Sequence, residues 1–318
     1  MRISACDIEP FAAPLNRALP RTQTFERTGW YVTIQLEDDT VATGEIAPLE
    51  GFSVETSEEA MEQATKITPS LIGRDTKEDV LAHLALYPSV SCGFELALAK
   101  LSKTPPDWWG QDPPDDAIVC ALLDPLSEAP SLASEVSSIR GRGTDRIKLK
   151  VGDASVAEDL VTINNICDLM GGNIKLRLDA NRRWSIEEAT SLLSELDPSI
   201  IEFVEDPLRD PRQLQALFDA TGIPIALDES LEDFIAVATA RFVPDWVSAV
   251  VLKPMLRRGY KESFKLAEVL SQDGVGVVVS SSFESPVGHD ALLRFWASLP
   301  PPRLAAGLDT GKYFARTA

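Results

Sequence analysis

Histidine is almost missing from this 318-residue chain: His83 and His289 are the whole complement. Chemistry that passes protons among several imidazoles is therefore excluded, as are metal centres built on clustered histidines. Cysteine is nearly as scarce. Cys6, Cys92, Cys120 and Cys167 lie far apart and form no Cys-x-x-Cys pair, so buried free thiols in a reducing compartment are expected. Positive charge is in deficit, with 30 Lys plus Arg against 49 Asp plus Glu and a formal net charge of -19. Such an excess repels phosphate backbones and argues against nucleic acid as a partner. No apolar run approaches the ~20 residues needed to span a bilayer, so no membrane partner is expected. The first residues reach Arg2 and Asp7 too soon for a signal peptide, which makes the cytoplasm the expected location. Any acid–base or metal site must rest on carboxylates and lysines.

Hydrophobic residues at 44% supply a sizeable core, and the length suits one barrel plus a smaller companion domain. Residues 1–103 read as an α+β capping unit. Two β-rich runs, Trp30–Leu36 and Val41–Glu45, flank the turn at Asp38-Asp39, and helical patterns follow at Ser57–Ile67, Lys77–Leu86 and Ser89–Leu101. The Pro- and Asp-rich stretch Thr104–Asp116, with Trp108 and Trp109, is the expected boundary. From there to 303, short apolar strands alternate with amphipathic helices. The strands are Ala117–Leu123, Arg146–Val151, Lys175–Ala180, Ile200–Glu205, Ile223–Asp228, Ala249–Lys253 and Val275–Ser281. Seven βα units without a glycine-rich phosphate loop predict an α/β fold, a (β/α)7-8 TIM-like barrel. Residues 304–318 are expected to return to the capping domain.

The polar residues on these strands are out of place for a core. Lys148 and Lys150 share one face of a strand whose other face is Ile147, Leu149 and Val151, and a solvated edge strand is the bland explanation. The following strands end in Asp179, Glu205, Asp228 and Lys253. From Lys150 onward the intervals are 29, 26, 23 and 25 residues, each about one βα repeat. In a barrel such strand ends converge on one mouth. Three converging carboxylates repel one another, and a dication resolves this; an all-oxygen donor set suits Mg²⁺, with Mn²⁺ tolerated. A lysine beside that ion and a second lysine is expected to have a lowered pKa, fit to remove a proton α to a carboxylate.

With Lys148-Leu149-Lys150, Asp179, Glu205, Asp228 and Lys253 in this order, the chain resembles the muconate-lactonising subgroup of the enolase superfamily. Further segments are similar to the o-succinylbenzoate synthases in particular: Gly44–Ser53, Arg177–Trp184, Asp228–Leu231, Ser280–Ser285 and Gly307–Thr310. The resemblance implies a lyase that dehydrates 2-succinyl-6-hydroxy-2,4-cyclohexadiene-1-carboxylate in menaquinone biosynthesis, acting on a small-molecule carboxylate. It implies Mg²⁺ on Asp179, Glu205 and Asp228, with Lys150 as the base and Lys253 facing it. Loops near Leu15–Pro20 and Pro48–Phe52 would shape the pocket. Lys148, Arg177, Asn181, Ser280 and Ser281 would contact substrate, the two serines through backbone N–H groups, and Glu229 would support the ligands. An N-acylamino acid racemase or dipeptide epimerase uses the same two lysines; the epimerases carry an Asp-x-Asp where this chain has the single Asp309. A non-catalytic scaffold is the remote alternative. His289-Asp290 reads as a helix-surface pair. The oligomeric state is left open, a monomer included.

Overall fold

The computed structural model describes residues 1–19, 22–110, 112–113, 119–123, 132–171, 174–235 and 243–315. Three antiparallel strands, β1 (Ile3–Pro14), β2 (Glu26–Leu36) and β3 (Val41–Ile46), form a sheet in that spatial order. The strand β1 lay outside the sequence expectation. It contains Pro10 and Pro14, and only an edge strand tolerates the missing N–H groups. Helices α1 (Ser57–Leu71) and α2 (Pro88–Leu101) cover the sheet, burying Ile34, Leu36, Ala64, Leu71 and Phe94 between the layers. Contact between β3 and α2 is close enough to demand glycine: a Cβ on Gly44 would lie 1.8 Å from the Gly93 carbonyl oxygen.

The helix expected over Lys77–Leu86 is not formed. Asp75 accepts the Lys77 N–H at 2.9 Å, short turns follow at Asp79–Ala82 and Leu81–Leu84, and His83 takes a left-handed φ of 67°. Left-handed backbone at a non-glycine residue ends any helix there.

The barrel strands are β4 (Ala121–Leu123), β5 (Arg146–Lys150), β6 (Lys175–Asp179), β7 (Ile201–Glu205), β8 (Ile225–Leu227), β9 (Val247–Leu252) and β10 (Gly276–Val279). They pair in parallel and in sequence order. Residues 117 and 118 of the first expected barrel strand lie outside the described residues, as do 20, 111, 114–116 and 316–318 of other expected segments. Helices α3 (Leu132–Gly141), α4 (Val156–Met170), α5 (Ile186–Ser194), α6 (Leu214–Thr221), α7 (Leu231–Ile235), α8 (Gly259–Gln272) and α9 (Pro286–Ser298) follow the strands. Their starts are encoded locally. Ser155 with Glu158 and Ser185 with Glu188 form capping boxes, and Gly222 ends α6 in the left-handed conformation. Among the described residues no helix is long and apolar enough to cross a membrane.

The C-terminal segment does more than return to the cap. Arg303 and Gly307 bridge Val277 and Ser280 of the last strand's neighbourhood, while Ala306 bridges Val119 ahead of β4, all in parallel. Residues 303–307 thus lie between the last strand and the first and close the barrel. Only after this does Phe314 bridge Leu15 of the cap.

Cap and barrel are joined by buried carboxylates at helix N-termini. Glu45 of β3 accepts the N–H groups of Ser285 (2.9 Å) and Gly288 (2.8 Å) at the start of α9. Glu95 of α2 accepts the Tyr260 N–H at 2.7 Å, at the start of α8. Trp108, in the expected boundary loop, stacks on Tyr260 at 5.3 Å and so packs against the barrel. Burial pushes the Glu95 carboxyl up to about 7 from an ordinary 4.5, against the pull of Ser91 and the α8 N–H groups. The folded state then holds this proton more tightly than the unfolded one, and Glu95 makes stability fall as pH rises from about 4.5 to about 7. Glu95→Gln removes that titration. The melting temperature of the variant relative to wild type is expected to climb through this window; a pH-independent difference would contradict the assignment.

Candidate active site at the barrel mouth

Backbone register sets the level of the charged groups. Lys150 pairs with Asp179, and Asp179 with Glu205, so these three stand side by side at the C-terminal ends of β5, β6 and β7. Asp228 and Lys253 each follow their strand by one residue. Strand alternation sends Ile147, Leu149, Leu176 and Leu178 outward to the helices, where they are fully buried, and leaves the lysines and acids inside. Beneath the mouth the barrel is filled by Phe203, Ala226, Ala249, Val251 and Val278.

Lys148 is the hub. Its ammonium lies 2.7 Å from Asp179 Oδ2 and 2.7 Å from Glu205 Oε2, so those oxygens are no more than 5.4 Å apart, twice that distance. Two carboxylates ~5 Å apart repel by roughly 3 kcal/mol at an effective dielectric near 20. The ammonium between them cancels this. Lys150 gives Asp179 a second contact at 2.7 Å, and Lys253 is paired with Asp228. Burial raises the Asp179 carboxyl, but the Lys148 and Lys150 charges outweigh it and hold Asp179 well below the usual carboxylate range. Burial and the Asp179 charge push Glu205 up.

Lys148 and Lys253 are held charged by their acid partners. Burial pulls each down, but the carboxylates around Lys148 and the Asp228 charge beside Lys253 outweigh it, and both are raised. Asp206, next to Glu205, was passed over by the sequence reading. It is 1% exposed and is pushed up to about 8 by burial and by the Asp228 charge. The signal was the adjacent acid pair Glu205-Asp206 ahead of Pro207.

Arg177, Ser280 and Ser281 are bonded within the fold. Arg177 is 1% exposed inside the barrel, bonded to Glu202 (2.7 Å) and the Ala305 carbonyl (2.7 Å), with its guanidinium over the Phe203 ring. The register shift between β6 and β7 leaves Glu202 unpaired in the ladder and free to meet Arg177. The backbone N–H groups of Ser280 and Ser281 are already used, by the Leu252 carbonyl (2.9 Å) and the Gly307 carbonyl (3.0 Å). The Ser281 hydroxyl is held by Glu284 and Thr310. Asn181 has a left-handed φ of 44°, and its N–H bonds Asp179 Oδ1 at 3.1 Å. Glu229 lines a solvent-open cleft together with Phe52 of the cap, Asp228, Lys253, Leu256 and Arg257.

Comparisons with known proteins agree with this architecture. Residues 131–316 match the family model described as enolase C-terminal domain-like, and residues 13–101 match the MenC N-terminal domain. The o-succinylbenzoate synthase of Aliivibrio fischeri (strain MJ11) is 33% identical over 284 residues, covering 88% of this chain and 82% of that one. PHYLLO, a chloroplastic protein of Arabidopsis thaliana, is 28% identical over 92% of this chain, which spans only 20% of its length. Among solved structures, the L-Ala-D/L-Glu epimerase of Bacillus subtilis superposes with a TM-score of 0.82 at 22% identity, covering 99% of this chain and 92% of that one. The o-succinylbenzoate synthase of Thermosynechococcus elongatus BP-1, complexed with Mg, gives 0.76 at 25% identity, covering 98% and 95%. A capped parallel barrel with acids and lysines at its strand ends thus falls in the enolase class of enzymes. Within that class the chain belongs to the o-succinylbenzoate synthases, carbon–oxygen lyases of menaquinone biosynthesis.

Removing the hub tests the electrostatics. Lys148→Met leaves buried Glu205 without its cation and Asp179 with Lys150 alone, and is expected to cost about 3–5 kcal/mol in chelator-treated protein, read by urea denaturation. An unchanged midpoint would contradict the geometry described.

Proposed function

We propose that the chain dehydrates 2-succinyl-6-hydroxy-2,4-cyclohexadiene-1-carboxylate to 2-succinylbenzoate, with Lys150 moving the proton. The observation that carries this reading is the difference among the lysines. Lys150 is 33% exposed toward the mouth, whereas Lys148 is 12% and Lys253 18% exposed.

Asp179, Glu205 and Asp228 are the residues that would hold a divalent cation, Mg²⁺ with Mn²⁺ tolerated. Among the described residues no three His, Cys, Asp or Glu side chains are drawn together as a ready ligand sphere; lysine ammoniums stand between these acids. The donor chemistry still fits, because three hard oxygen donors share one level of the mouth and already need compensating positive charge. When bound, the cation supplies Lewis-acid stabilisation of negative charge on the substrate carboxylate. Lys150 takes the α-proton and returns it to the departing hydroxyl on the same face, so water leaves and the enzyme is unchanged. Lys253, across the mouth beside Asp228, balances the charge that develops. Formation of an aromatic ring drives the elimination.

The structure of the Asp309 region disfavours the dipeptide epimerase alternative. Both its oxygens are engaged, Oδ2 by the Leu122 N–H (3.0 Å) and Lys312 (3.2 Å), Oδ1 by Arg142 (2.9 Å). Asp309 is thus turned toward the chain's own donors.

Lys150→Ala is expected to lower kcat for dehydration by roughly 10²–10⁴-fold with an unchanged circular dichroism spectrum. Activity within a few fold of wild type would refute the role. EDTA is expected to abolish turnover and added Mg²⁺ to restore it, followed by the absorbance of the aromatic product.

A further inference from the structure

Asp228 differs from the other two proposed cation ligands in how its main chain is held. Asp179 and Glu205 lie within paired strands, with ladder partners on both sides. Strand β8 has only three residues, and Asp228 lies beyond it. The last backbone rung between β7 and β8 runs from the Asp206 N–H to the Ala226 carbonyl, at 3.1 Å. Past that point a side chain takes over. Asp206 Oδ1 accepts the Asp228 N–H at 3.3 Å and is bonded to the Ser230 hydroxyl, while Oδ2 accepts the Ser230 N–H at 3.0 Å. The same residue holds the loop after β6 as well, because its carbonyl accepts the Arg182 N–H at 2.6 Å.

This arrangement carries costs that a strand end does not require. Asp206 is 1% exposed and adopts a φ of 38°, a left-handed conformation that aspartate tolerates but does not prefer. An apolar residue would fill the same space without a buried carboxylate. What the carboxylate alone offers is a continuation of the hydrogen-bond ladder to the residue that carries the third ligand.

We propose that Asp206 is a positioning residue for the cation site, replacing the missing rungs of the sheet so that Asp228 is held level with Glu205. The inference rests on reading Asp228 as a cation ligand. Outer partners that orient ligands typically contribute 10–100-fold in metal affinity, and Asp206 acts through the main chain of its ligand.

The test is Mn²⁺ binding, measured by calorimetry and by the loss of the free-ion electron paramagnetic resonance signal, on full-length wild type, Asp206→Ala, Asp206→Asn and Leu71→Ala. Leu71 is buried in the cap, far in sequence from the site, and its truncation lowers stability without touching the mouth. Asp206→Ala is expected to weaken Mn²⁺ by about 10–100-fold. Asp206→Asn, which keeps the volume and one acceptor, is expected to fall between it and wild type, and it carries the test if the alanine variant does not fold. Leu71→Ala is expected to bind as wild type does. A wild-type Kd in both Asp206 variants, or an equal loss in Leu71→Ala, would overturn the positioning role while leaving the cation site intact. No Mn²⁺ binding by wild type would overturn the cation site itself and the inference with it.

Discussion

Three acids at the mouth of a barrel with an apolar filling must be matched by positive charge. Asp179 and Glu205 share the Lys148 ammonium, Asp179 has Lys150 in addition, and Asp228 has Lys253. Without that compensation, desolvation and mutual repulsion would drive the acids to bind protons or swing apart. The strand order, the alternation on β5 and β6 and the one-residue overhangs after β8 and β9 all serve to bring these six groups to one level. The same balance gives the site its chemistry. A mouth that already needs cations is suited to a dication.

The seam between cap and barrel meets a similar demand by different means. Glu45 and Glu95 are buried there, and each accepts backbone N–H groups at the start of a barrel helix. Helix N-termini carry partial positive charge and unsatisfied donors, so they stabilise carboxylates without a partner cation. Arg27 adds one true cation, its guanidinium bonded to the carbonyls of Pro48 (2.8 Å) and Phe283 (3.1 Å). It thereby ties the cap loop after β3 to the barrel loop after β10, on the side where Phe52 reaches the cleft.

Much of this was legible in the chain, because it is written in periodicity. Alternation on Arg146–Lys150 and repeated spacing of acids at strand ends identify the barrel and its charged mouth without any long-range information. What escaped depends on contacts between distant segments. The edge strand β1 has no clean alternation and is defined by its pairing with β2. The Lys77–Leu86 stretch has helical composition, but Asp75 and His83 turn it instead. Arg177 sits one strand position pair below Asp179 and looks like a site residue; a bulge at Glu202 on the neighbouring strand captures it. Ser280 and Ser281 look like free donors until the Leu252 carbonyl of β9 takes one N–H and the Gly307 carbonyl, in the stretch that closes the barrel, takes the other.

Asp179, Glu205 and Asp228 are proposed to take a single dication in exchange for ammonium contacts. A crystal structure with Mn²⁺, phased on the metal's anomalous signal, tests it most directly. The account predicts one peak within bonding distance of all three carboxylates, with the Lys148 ammonium drawn away from at least one of the two acids it bridges. A peak bonded to fewer than two of them, or no peak at the mouth with Lys148 still bridging Asp179 and Glu205, would contradict it.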